Sequence, residues 1–480
     1  MNRKYFCFFV IIAVMVSLTE IRPVLSDTSK DKESIRIVKM TITPAGEPTE
    51  ALKYKLMPCF ADQTPGNAAI FYLTAIERQP RDDQVIIMKL KDNINDWLKM
   101  PVNGLPRQEL KNILNSFSFA FHQLDRAVLC EQCDWQTPLR TEGFRALMPP
   151  LGEFRHLGKI LALQARLQIA DGKYNEAIHT LRNGFTMARH VAESPMLIND
   201  LVGISIADPM RREVEQFIQA PDSPNLYWAL SALPRPFIDM RRAMECERDI
   251  ILMEFPELRD LETRKLTQQQ ASTLANDMFR LLSELGVGDM PNGQLGPTAW
   301  VMLQYHNARA YLIEHGRSPD QVEALPAAQV VLLYQLKEFL RIRDQLFKWF
   351  NVPYSKARDG FKKAEDDLSQ YVSKTRKKMT PNYFLDFLPA MGRVYYLTAR
   401  LERNIAILRC VEAVRMYAAD HNGQLPGSLD DITKVPVPPD PLTGKMFSYK
   451  IVDGKAVIES ILTPADKPKD SSRYELTVRK

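Results

Sequence analysis

The stretch Leu157–Glu193, LGKILALQARLQIADGKYNEAIHTLRNGFTMARHVAE, constrains this chain more than any other. Apolar residues recur at helical spacing on both sides of Asp171-Gly172-Lys173-Tyr174. Leu157, Ile160, Leu161 and Leu167 precede that turn, and Ile178, Leu181 and Phe185 follow it, which predicts two antiparallel helices. Gly172 can take the left-handed backbone that ends a helix, leaving Tyr174 to pack back across the turn. Ala165, Ala177 and Gly184 are small where the two axes would approach. The apolar stripes of such a hairpin need further helices to cover them. The expected fold is therefore mainly α, stacked antiparallel helical hairpins with a small C-terminal α+β module.

The remaining chain carries the same periodicity with different ends. Residues 35–43 alternate like a strand, and residues 51–57 would pair with them as a short N-terminal hairpin. Helices are expected over 68–78, 85–98, 106–129 and 197–218, the last with a kink at Pro209. Pro221, Pro224, Pro234 and Pro236 punctuate the chain there, and helices resume over 238–255, 267–285, 298–315, 327–350 and 354–374. Residues 392–420 form one long helical run, followed by two strand-like pieces that turn at Asp453-Gly454, a strong hairpin signal. The expected division is 27–236 for a first helical domain, 237–389 for a second helical region, and 390–480 for the long helix and its α+β tail.

The first 26 residues are expected to be a signal peptide. A basic start, Met1-Asn2-Arg3-Lys4, leads into an apolar run from Tyr5 to Leu18, and Val24-Leu25-Ser26 offers small residues for cleavage before Asp27. The run is short for a span, which needs about 20 residues; the alternative is a retained anchor. Extracytoplasmic location, periplasmic or secreted, follows, with no transmembrane span after signal removal. Losing Arg3, Lys4, Arg22 and Glu20 lowers the net charge from +5 to +3. That is too mild for a nucleic-acid binder, and the basic run Lys374–Lys378 has no interleaved aromatic residue. Five cysteines remain, Cys59, Cys130, Cys133, Cys246 and Cys410, too few for a disulfide framework in this length. Cys130-Glu-Gln-Cys133 follows a helix, so a local disulfide or plain packing is expected over a redox or zinc role.

Histidine is scarce, seven in all. Glu153-x-x-His156 and Glu176-x-x-His179 look like the paired motif of di-iron bundles. They begin successive antiparallel helices, however, and would lie about 25 Å apart at 1.5 Å per residue. His156 on the first helix should instead be level with His190 on the second, with Glu153 and Glu193 close by. Two histidines and two carboxylates suit zinc or a similar divalent metal. The alternative is a polar hairpin end in which Arg155 and Arg189 pair with those carboxylates. No P-loop, dinucleotide fingerprint or Ser-His-Asp order is present.

Three resemblances rest on these residues. Gly172, Tyr174, Glu176 and Ala177 resemble the turn of a tetratricopeptide hairpin, over about one repeat. Tyr417, Gly423, Leu425, Pro426, Leu429, Asp440, Pro441, Gly444, Tyr449 and Asp453-Gly454 resemble the C-terminal part of a type II secretion pseudopilin. That likeness implies a calcium site in the tail, with Asp440 and Asp453 as donors, although turn formation explains both aspartates. Pro65–Ala69, Cys133-Asp134-Trp135, Ala188–Glu193, Gln329–Tyr334, Asp440-Pro441 and Gly444-Lys445 resemble a family of secreted helical planctomycete proteins, which implies compartment and architecture. The expected function is a non-catalytic interaction or scaffold role in the periplasm or cell envelope, with a protein or peptide partner. The competing expectation is an extracytoplasmic metal-dependent hydrolase using Glu153, His156, His190 and Glu193. An enzyme needs convergent polar groups in a closed pocket; a scaffold needs an open groove or an exposed apolar patch.

Overall fold

The computed structural model describes residues 35–78, 84–284, 296–388, 391–461 and 471–479. In chain order its main elements are β1 (Arg36–Ile42), β2 (Thr64–Asn67), α1 (Ala68–Glu77), α2 (Gln84–Lys99), α3 (Arg107–Asn115), α4 (Ser118–Val128) and β3 (Cys130–Gln132). The predicted hairpin follows as α5 (Leu151–Ala170) and α6 (Tyr174–Ala192), then α7 (Leu197–Gln219). Next come α8 (Arg241–Glu254), α9 (Gln268–Glu284), α10 (Gly296–Glu314), α11 (Ala327–Phe347), α12 (Tyr354–Lys377) and α13 (Met391–Asp420). The chain closes with β4 (Ser448–Val452), β5 (Lys455–Glu459) and β6 (Ser472–Val478). The fold is mainly α with a small α+β part. Two compact units divide it. One joins residues up to Gln136, Pro149–Met240 and Tyr396 onward; the other joins Thr137–Met148 with Arg241–Tyr395.

The first unit is built on the hairpin. The α5 terminus closes as the Gly172 turn predicts: Gly172 has φ +71°, Lys173 N donates to Gln168 O at 2.8 Å and Gly172 N to Ile169 O at 3.1 Å. Tyr174 does not fold back across this turn. Its ring meets Phe217 of α7 edge-on at 5.4 Å, and its hydroxyl donates to the Pro221 carbonyl. Nor does Gly184 face α5; it lies against Met210 of α7, while Gly158 of α5 lies against Ile206 and Gly203 of α7 against the Ala188 carbonyl. The small residues thus serve a third helix, which continues without interruption through Pro209. On the other side, Leu90, Ile94 and Trp97 of α2 and Leu110, Ile113 and Leu114 of α3 share a core with Ile160, Leu163 and Leu167 of α5. The run read as one helix over 106–129 breaks at Ser116-Phe117, where Phe117 turns into that same core.

The sheet departs most from expectation. Residues 51–57 form no strand, and β1 pairs instead with β6, parallel, from Arg36↔Ser472 to Ile42↔Val478. The four-stranded order is β1-β6-β5-β4, so the N-terminal strand completes the C-terminal module. β4 and β5 form the predicted hairpin, with Val452 opposite Lys455 and both Asp453 (φ +49°) and Gly454 (φ +71°) left-handed. Long α13 is docked on this unit by its own polar groups. Glu412 accepts from Leu226 N at 2.9 Å, and Arg415 donates to the Thr43 and Ser223 carbonyls at 3.0 and 2.8 Å. Among the described residues, no helix is long and apolar enough to cross a membrane.

In the second unit, α10 and α9 pack on α11, whose residues Val330–Leu333 are buried in succession. Gln329 lies at the start of α11 with its side chain spent on backbone groups: it accepts from Leu266 N at 2.9 Å and donates to the Arg264 and Leu261 carbonyls.

Candidate functional site

Three of the segments singled out in the sequence meet in the first unit. Asn67 ends β2 and caps α1, its Oδ1 accepting from Ala69 N at 3.1 Å. The same oxygen accepts from Asp134 N at 2.9 Å, and Asn67 Nδ2 donates to the Asp134 carbonyl at 2.8 Å. Cys133 N donates to Glu193 Oε2 at 3.1 Å, and Trp135 Nε1 to the His190 carbonyl at 2.7 Å. The Tyr72 hydroxyl lies 2.9 Å from His190 Nδ1, with Trp135 stacked on Tyr72 and Phe154 packed beside both. Burial, with Arg189 adding to it, holds the His190 imidazole down to about pKa 4, so it is neutral at pH 7. Burial drives the Cys133 thiol far upward, and the nearby Glu193 carboxylate adds to this, which disfavours the nucleophilic thiolate. The polar groups here bind one another. The arrangement is a joint between α1, the 130–135 segment and the end of α6.

The proposed ligand set does not assemble. His190 turns toward Tyr72 on α1. His156 is half-buried and feels Lys159 and Lys91, the latter on α2; burial lowers its pKa against an opposing pull from Glu153. Glu153 is exposed, and Glu193 accepts from Cys133 N. Among the described residues, no three or more His, Cys, Asp or Glu side chains stand where they could hold a metal ion. The reading of Glu153, His156, His190 and Glu193 as a zinc-type site is therefore corrected. Being level on two antiparallel helices does not place side chains on a common face, and His190 is engaged by Tyr72 of α1. Arg155 and Arg189 are both partly buried beside this end, with Glu193 and Asp239 favouring the Arg189 charge against desolvation. His179 of the second motif lies 3.5 Å from Asp125 of α4.

The tail aspartates are also committed elsewhere. Asp440 is fully buried, ion-paired with Arg403 at 2.9 Å, and accepts from Leu442 N at 2.9 Å. Asp453 makes the hairpin turn. Neither arrangement provides a calcium cradle. Cys59, Cys130, Cys133, Cys246 and Cys410 are all free thiols, and only Cys59 is more than marginally accessible.

Sequence reasoning passed over a set of buried arginines. Arg166 of α5 donates to Glu213 of α7 at 2.9 Å and to the Met100 carbonyl at 2.6 Å. Arg211 pairs with Asp208 and Glu215. Glu215 also receives the Tyr474 hydroxyl of β6 at 2.5 Å and pairs with Arg36 of β1 at 3.3 Å. These groups tie the sheet to α7. Their positions among apolar neighbours in a helical stripe were a usable signal, since an arginine at a core position demands a buried partner.

A second missed feature is the outer side of α1 and α4. α1 is apolar around most of its circumference, AAIFYLTAIE, which is more than one packed face requires. Ala68, Ala69, Tyr72, Ala75 and Ile76 are buried, whereas Ile70 is 62% and Leu73 44% exposed. On neighbouring α4, Phe119 is 38% exposed. Arg78, just past α1, lies 5.4 Å over the Phe119 ring, and Arg126 of α4 lies 4.3 Å over the Phe71 ring of α1. The two helices thus exchange reciprocal cation–π contacts across an open face. No family model, curated protein or solved structure matches the chain.

Proposed function

We propose that the protein is an exported, non-catalytic interaction protein of the periplasm or cell envelope, and that it engages a protein or peptide partner through the α1/α4 face. The observation that carries this reading is the exposure of Ile70 and Leu73 on a helix whose opposite side is already packed. Full burial of a large aliphatic side chain contributes roughly 1.5–3 kcal/mol; Ile70 and Leu73 forgo about half of that each, and a partner recovers it. The basic start and short apolar run support export. The tetratricopeptide-like turn and the pseudopilin-like tail fit a helical interaction protein of the envelope, and neither supplies a reactive group. No observation favours the hydrolase alternative, because His190 is engaged by Tyr72 and Glu193 by the Cys133 backbone N–H.

The test places a photo-crosslinking residue at Leu73 in the chain expressed in its native envelope, with Ile70→Asp as the paired disruption. One discrete crosslinked envelope protein, lost in the Ile70→Asp background while the circular dichroism spectrum is unchanged, is the expected result. Crosslinks that are absent, or indifferent to Ile70→Asp, would sink the proposal.

A further inference from the structure

We infer that the α1/α4 face recognises an acidic amphipathic helix, with Ile70, Leu73 and Phe119 receiving its apolar side and Arg78 and Arg126 its carboxylates; this rests on the interaction reading above. Two arginines carry the recognition. Each is exposed, and each is held over an aromatic ring belonging to the other helix. Neither has a carboxylate partner among the described residues, although ion pairs are common elsewhere on this unit, as at Lys89–Glu109 and Lys111–Asp171. A guanidinium matches a carboxylate through two parallel hydrogen bonds.

The placement of the pair gives the geometry of recognition. Phe71 near the start of α1 meets Arg126 near the end of α4, while Arg78 past the end of α1 meets Phe119 at the start of α4. The helices are therefore antiparallel, and the cations stand at opposite ends of the pair. α1 spans ten residues, about 15 Å at 1.5 Å per residue. Ile70 and Leu73 are one helical turn apart on the same outer face. A partner helix bearing an apolar stripe, with Glu or Asp about two to three turns apart beside it, would meet both the apolar surface and the two charges. His122 lies on the exposed side of α4 between Phe119 and Arg126, at helical spacing from both. Glu77 is the acidic side chain on this side of α1; Asp125 of α4 is turned toward Asn183 and His179 of α6.

The test uses the full mature chain and two synthetic amphipathic 18-residue peptides with an identical leucine stripe, one with glutamates and one with lysines on its flanks. Fluorescence anisotropy should show the glutamate peptide binding at least about tenfold more tightly, with affinity falling as salt rises. The double variant Arg78→Gln/Arg126→Gln should remove that preference while leaving residual binding, and Leu73→Asp should abolish binding of both peptides. Equal binding of the two peptides, or a preference surviving in the double-arginine variant, overturns the acidic-partner inference and leaves the apolar docking reading in place. Failure of both peptides to bind also overturns it; the Leu73 crosslinking experiment then decides the broader reading separately. Self-association of the chain that is broken by Leu73→Asp, with no peptide binding, would assign the face to a second copy and overturn the inference.

Discussion

Replacing Gly203 with alanine should destabilise the protein, although the same change inside a helix ordinarily stabilises it. Removing glycine from a helix interior gains about 1 kcal/mol. At Gly203 the added Cβ would stand 2.6 Å from the Ala188 carbonyl oxygen and 3.0 Å from the Ala192 Cβ, where ordinary contact begins at 3.4 Å. The obstruction is backbone of α6, so no side-chain rotation relieves it. Separating the helices to restore contact would also loosen Met210 against Gly184 and Ile206 against Gly158. Overpacking of this kind costs about 1–3 kcal/mol, and a backbone obstruction belongs at the upper end, so the expected net loss is about 2 kcal/mol. Gly152 is the control: an alanine Cβ there meets nothing within 4 Å, and the variant should be unchanged or slightly more stable. Urea denaturation read at unchanged slope, with hydrogen exchange of the α6 amides, measures both. A Gly203→Ala protein as stable as the parent would refute the close approach of α6 and α7.

Other outcomes follow from named groups. His190 has a folded pKa of about 4 against an ordinary 6.5, so the unfolded chain binds its proton first as pH falls. Its contribution is full above pH 6.5 and is lost down to pH 4, about 3 kcal/mol in all; His190→Gln should flatten that part of the stability–pH curve, and an unchanged curve would contradict the desolvated neutral ring. Asp440→Asn breaks a buried pair with Arg403 and should cost about 3–5 kcal/mol, whereas Asp453→Asn, at a left-handed turn position asparagine tolerates, should alter the melting temperature little. In the chain from Asp27 onward, which lacks Cys7, a thiol-reactive chromogenic reagent should react quickly with Cys59 and with Cys130, Cys133, Cys246 and Cys410 only on unfolding; a second fast thiol in the native protein would show that a buried cysteine is accessible.

Local signals were legible and long-range ones were not. The α5–α6 turn needs only Gly172 and flanking periodicity, and the β4–β5 turn only Asp453-Gly454, so both could be read from a few adjacent residues. The partner of β1 is set by contacts with a segment at the far end of the chain, and an alternating pattern does not say which strand will lie beside it. The metal reading failed for a related reason. Helical rise gives the level of His156 and His190, but the partner His190 takes is Tyr72, brought by α1. The α1/α4 face was recoverable in principle, because a helix apolar on nearly every side has more surface to cover than one neighbour can take.

The parallel pairing of β1 with β6 also sets the order of assembly. Arg36 and Ser472 are partners, yet roughly 430 residues must be made between them, which takes on the order of 20–90 s at typical synthesis rates of about 5–20 residues per second. Throughout that time β1 has no strand beside it, and its Met40 and Ile42 have no β6 side chains to meet. The closing step is a long-range association that no local helix formation can accelerate. A chain shortened ahead of Ser472 would leave both β1 and β5 with open edges, a form suited to pairing with other chains. The last seven-residue strand is therefore the piece that covers the facing edges of β1 and β5 at once and joins them into one sheet.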